Sequence, residues 1–131
     1  MHLVTVQLIS ITVTTTNDKL VRGAQTEHNA QRFLEQHGLT ILAQNYRSRW
    51  GEIDLVMLDK KTLVFVEVRY RSVTDYGGAL QSIDKYKQQR IKKTALCYLQ
   101  QHKYRDACMR FDVIAASGTK LNWIKNAFIF D

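Results

Sequence analysis

The order of hydrophobic patterns along the 131 residues predicts an α/β fold, a mixed β-sheet with helices packed on it. Three observations carry that prediction. A helical periodicity precedes the first strand, a hairpin of aliphatic and β-branched runs follows, and a second helical pattern separates this hairpin from a further strand. A hydrophobic fraction of 45% with 24% charged residues is that of an ordinary globular protein, and the length suffices for one core. Proline, internal repeats and low-complexity linkers are all absent from the sequence. The expected organisation is an N-terminal extension over residues 1–18 and a single domain over 19–131.

The extension alternates Val4, Val6 and Leu8 with Thr5, Gln7 and Ser10, so it suits an added strand; a frayed tail is the other reading. Its apolar run is too short and interrupted for a membrane span, and it lacks the basic lead of a signal peptide. The two cysteines, Cys97 and Cys108, have neither CxxC nor metal-ligand spacing, and reduced thiols in a cytoplasmic protein are expected.

Thr16 or Asn17 caps the first predicted helix, which runs to about His37 with Gly38 as its stop. Ala30, Phe33, Leu34 and His37 form its apolar face. Glu27 points within about 20° of Leu34 at 100° per residue, at the border of that face, whereas Glu35 faces solvent. Leu39 to Ser48 reads as a strand. Gly51–Asp59 and Thr62–Arg69 read as a hairpin about a Lys60-Lys61 turn, followed by a polar loop from Tyr70 to Gly78. A second helix is predicted from about Leu80 to Gln101, with Ile91, Ala95, Tyr98 and Leu99 inward and Lys85, Lys87, Arg90, Lys92 and Lys93 exposed. Phe111–Ala116 is a strand and Ser117-Gly118-Thr119 a turn. Leu121–Phe130 is a strand or short helix that supplies Trp123 and Phe128 to the core.

Two acids interrupt the hairpin. Asp54 and Glu67 sit mid-strand among aliphatic residues, where acidic side chains are disfavoured. A two-residue turn at Lys60-Lys61 places Asp54 opposite Glu67 and Glu52 opposite Arg69, with directly opposed Cβ atoms about 4.5–5.5 Å apart. Two carboxylates that close repel, and a raised pKa, an organic cation or a metal ion must relieve them. Arg69 emerges on the face of Glu67 and can neutralise one charge. The remaining oxygens suit a hard cation such as Mg²⁺ or Mn²⁺, with Glu27 as a third acid. A structural ion-pair cluster of Glu52, Glu67 and Arg69 is the competing reading.

The net charge of +7 makes a polyanionic partner worth considering, with a solvated basic surface as the alternative.

Asp54, Glu67 and Arg69 together resemble the Asp…(Asp/Glu)-x-Lys signature of restriction-endonuclease-like nucleases. More closely, the chain resembles the YraN family of small uncharacterised bacterial proteins, themselves similar to archaeal Holliday junction resolvases. The resemblance rests on Gly23-x-x-x-Glu27-x-x-Ala30, Asn45-Tyr46-Arg47, Gly51-Glu52-Ile53-Asp54-Leu55, Val64 to Arg69, Tyr76-Gly77-Gly78, Arg110-Phe111-Asp112-Val113 and Trp123 to Phe128. It covers about residues 19–128 and implies a restriction-endonuclease-like fold. It further implies that Glu27, Asp54 and Glu67 hold Mg²⁺ or Mn²⁺ for phosphodiester hydrolysis of structured DNA. A homodimer is implied too, because a branched junction presents two equivalent strands. Arg47, Arg49, Arg71, Lys85, Lys87, Arg90 and Lys92 would contact phosphates. Arg69 departs from the signature lysine, and an arginine stays charged where a lysine can lose a proton. Lys85 on the next helix is a candidate for the displaced amine. A non-catalytic nucleic-acid-binding or accessory module is the alternative, and a protein-interaction domain using the Tyr70–Gly78 loop is a third.

Overall fold

The structure, a computed structural model, describes residues 15–70, 83–104 and 108–129, with side chains from residue 21 onward. The expected order of elements is observed: α1 (Thr15–Gln36), β1 (Thr40–Ser48), β2 (Gly51–Asp59), β3 (Thr62–Tyr70), α2 (Lys85–Gln101), β4 (Cys108–Ser117) and β5 (Lys120–Phe128). The first fourteen residues of the extension, Arg71 and the loop to Gly78 lie outside the described residues.

All five strands form one sheet in the order β1-β2-β3-β4-β5. The first three make an antiparallel meander, β4 joins β3 in parallel, and β5 returns antiparallel. A parallel pair needs a crossover rather than a tight turn, and α2 lies on that crossover. The closing segment is therefore a strand, joined to β4 through Gly118 and Thr119, with Gly118 at φ +59.

α1 stops as expected. The Leu39 N–H donates to the Leu34 carbonyl and that of Gly38 to Glu35, the paired bonds of a Schellman motif with Gly38 at φ +95. The start of α2 is corrected from Leu80 to Lys85. Asp84 is the N-cap, in extended backbone, and its carboxylate accepts from the Lys87 amide at 2.8 Å.

The two helices cover opposite faces of the sheet. Ala30 and Leu34 of α1 pack with Leu55, Met57, Val64, Val66 and Ile114. Ile91, Ala95 and Tyr98 of α2 pack with Ile53, Val56, Leu63, Phe65, Phe111, Val113 and Phe128. Alternating strand residues thus feed two cores, which is why the hairpin reads as nearly continuous aliphatic runs. Lys92, expected on the exposed side of α2, is buried instead, because it flanks Ile91 and Ala95 on the packed stripe. His37 is exposed and lies against Phe33 and Trp123.

Candidate active site

The Lys60-Lys61 turn sets the predicted register from Asp59–Thr62 to Leu55–Val66. There the paired ladder ends. One step further, the Val68 N–H donates to Asp54 Oδ2 at 2.8 Å, so a side chain takes the place of a strand partner. The neighbouring strand shows why. Gln44 and Leu55 are paired, and they face α1, since Gln44 donates to Gln31 of that helix and Leu55 joins its core. Tyr46 and Ile53 are also paired, yet they face α2, with the Tyr46 and Tyr98 rings 5.1 Å apart. Residues two apart in a regular strand share a face. Both strands therefore change face across Asn45 and Asp54, and Asn45 adopts φ +49 to do so. Asp54 sits at this inflection and turns toward β3.

Asp54 is 8% and Glu67 6% exposed, and the Glu67 charge acts on the Asp54 carboxyl. Burial, then the Glu67 charge, push the Asp54 carboxyl up to about 9 against the opposing Val68 amide; the Glu27 charge adds to the rise. The Asp54 carboxyl consequently keeps its proton at neutral pH. Lys87 Nζ lies 3.0 Å from Glu67 Oε2, and Arg69 Nε lies 3.8 Å from the same oxygen. The amine beside the acids thus belongs to Lys87. The expected donor, Lys85, lines a different cleft with Asn126 and Phe128. Because Asp84 holds the Lys87 amide, the first turn of α2 is anchored where it meets the acids.

Glu52 is not paired with Arg69, since the hairpin ladder ends before it. Its carboxylate instead meets Arg47 of β1 at 2.9 Å, from the directly opposed position. Glu27 is half-buried and accepts from Asn45 Nδ2 at 3.0 Å. It is close enough to act on Asp54 through its charge. Among the described residues, no three His, Cys, Asp or Glu side chains form a ready-made metal cluster. The geometry brings Asp54, Glu67 and Lys87 together, with Arg69 near and Glu27 held aside by Asn45.

A cleft of about 410 Å³ opens over the pair, lined also by Gly51, Tyr86 and Arg90. Arg49 and Lys93 lie over the ring of Trp50, the residue before the cleft-lining Gly51, at 4.6 and 4.2 Å. Sequence reasoning missed three contributors here: Asn45, the helix cap Asp84 and the exposed Tyr86. The signals were available in an asparagine within a strand run and in an aspartate three residues before Lys87.

Fold and site define an α/β protein in which a buried carboxyl pair meets a lysine in a cleft. The chain belongs to the uncharacterised protein family UPF0102, whose model matches residues 26–116. A UPF0102 protein of Halorhodospira halophila is 46% identical over 115 residues, covering 88% of this chain and 93% of the relative. One from Shewanella pealeana is 48% identical over 107 residues, 82% and 95% of the two chains. Another, from Pseudomonas fluorescens, is 49% identical over 112 residues, 81% and 91% respectively. The YraN-like resemblance is thereby borne out.

Proposed function

We propose that this chain is a metal-dependent endonuclease of restriction-endonuclease-like fold that hydrolyses phosphodiester bonds in structured DNA. The observation that carries the reading is the buried pair Asp54–Glu67, met by Lys87 at 3.0 Å. The antiparallel meander followed by a helical crossover to a parallel strand agrees with the fold class the resemblance implies.

The donor set fits a divalent ion. Its atoms are carboxylate oxygens, the hard ligands that Mg²⁺ and Mn²⁺ prefer, and the raised Asp54 carboxyl marks where positive charge is wanted. Asp54 and Glu67 would hold the ion, and Glu27 would join them on leaving Asn45. When bound, it supplies Lewis-acid activation of water and offsets charge on the phosphoryl oxygens. Lys87 and Arg69 present cationic donors beside Glu67, where they can bind and orient a phosphate. Lys87 takes the place of the signature lysine from a helix instead of from β3.

A cleavage panel tests this. Purified wild type should cut branched, single-stranded or duplex DNA with Mg²⁺ or Mn²⁺. Asp54→Ala should lose at least about 100-fold, and Lys87→Ala on the order of 10- to 100-fold, more than Arg69→Lys changes the rate. DNA bound but uncut by wild type would favour the non-catalytic accessory module. Cleavage surviving Asp54→Ala would point to a contaminating nuclease and overturn the assignment.

A further inference from the structure

We infer that Tyr86 is a stacking platform for an unpaired base, so that the cleft takes a nucleic acid through a single-stranded nucleotide, not through a continuous duplex. This rests on the nucleic-acid reading above and specifies its substrate.

Tyr86 is 70% exposed, the most exposed of the large hydrophobic side chains described. It stands in the first turn of α2, next to the lysine that meets Glu67, and lines the same cleft as the carboxyl pair. Its ring joins neither core and is left in solvent in the cleft that holds the carboxyl pair. Its orientation is nevertheless held. Arg90 Nη1 donates to the Tyr86 hydroxyl at 3.2 Å, and the guanidinium carbon lies 5.7 Å from the ring centroid. The same Arg90 passes close to Gly51, where an added Cβ would come within 3.7 Å of Nε, so the β1–β2 turn backs the arrangement.

A flat, oriented, cation-flanked ring suits a nucleobase. Base–aromatic stacking is tolerant of sequence, and a neighbouring guanidinium adds cation–π attraction. Inside a duplex each base face is already covered by the next base pair, so an external ring can stack only on a base at an end, gap, flap or branch. Trp50 is a poorer platform, since Arg49 and Lys93 already lie over its ring. With Tyr86 holding the base, Lys87 and Arg90 are placed to meet the adjoining phosphates beside Asp54 and Glu67.

The test is anisotropy of fluorescein-labelled single-stranded DNA and a blunt duplex of matched sequence, with the full chain in EDTA. Wild type should favour the single strand. Tyr86→Ala should lower the ratio of single-strand to duplex affinity about tenfold, and Tyr86→Trp should keep it. A 2-aminopurine in the single strand should be quenched by wild type and by Tyr86→Trp but not by Tyr86→Ala. Equal loss on both DNAs, or no loss and unaltered quenching, would overturn the platform while leaving the nuclease reading standing. Wild type that binds neither DNA, in EDTA or with Ca²⁺ in its place, would sink both.

Discussion

Asp54 and Asp112 both lie in strand interiors, both are less than a tenth exposed, and both accept from a backbone N–H where pairing departs from regularity. Their partners separate them. Asp112 receives Arg110 Nε at 3.0 Å, Trp123 Nε1 at 2.9 Å and the Asn126 amide at 2.9 Å, where β5 bulges with Asn126 at φ +53. Its charge is met by donors, and the cluster fastens β5 to β4. Asp54 has one amide and a second carboxyl group. That mismatch has a pH signature. Its pKa is raised from 3.8 to about 9, so between those values the unfolded chain has released the proton that the fold retains. Stability contributed by the protonated form therefore falls as pH rises through that window, by up to about 1.4 kcal/mol per pH unit, and levels off above it. Asn at position 54 keeps an acceptor for Val68 and never ionises. Asp54→Asn should unfold at higher urea than wild type, with a gain that grows from pH 5 to pH 8 by up to about 4 kcal/mol. A gain independent of pH would show that Asp54 titrates normally. The mid-strand acids were legible in the sequence because each interrupts an aliphatic run, and the turn sets the register up to the residue beside each of them. The change of face at Asn45 was not, because it depends on which helix covers each neighbour.

At the scale of elements, the site is made where the β2–β3 ladder ends and the first turn of α2 arrives. The crossover that makes β4 parallel to β3 also delivers Lys87 to Glu67. Asp84 matters twice, as N-cap of α2 and as the group that places the Lys87 amide. Asp84→Ala should cost about 1 kcal/mol in denaturant unfolding, the usual loss for a cap. It should also weaken DNA cleavage by releasing Lys87, an effect that Asp84→Asn, which can still cap, should largely avoid. If both variants lose activity equally, the cap does not position the lysine. Lys85 was expected as the displaced amine on a helix begun at Leu80; with Asp84 as the cap, Lys87 becomes the third helical residue and meets Glu67. Lys92 was misplaced for a related reason. Basic residues read as solvated by default, but its aliphatic stem allows burial beside Ile91 and Ala95.

For the molecule as a whole, the acid pair is set in a chain of net charge +7. Asp54 and Glu67 repel a phosphate, so approach depends on the cations around the cleft. Arg90 lines it, and Arg49 and Lys93 lie over the ring of Trp50, the residue before the cleft-lining Gly51. Arg47 is less available, being engaged with Glu52. Phosphate contacts release condensed counterions, which makes affinity fall with salt in proportion to their number. With about four such contacts on a single strand, the slope of log K against log salt should be roughly −3, an on-the-order-of 50-fold loss between 50 and 200 mM. Lys93→Gln should make that slope shallower by about 0.7, without changing the preference for single strands that stacking on Tyr86 confers. Anisotropy titrations at four salt concentrations measure both. A flat salt response would remove phosphate contacts from the recognition, and with them the nucleic-acid substrate, because an acidic centre of this kind needs a basic rim to draw a polyanion in.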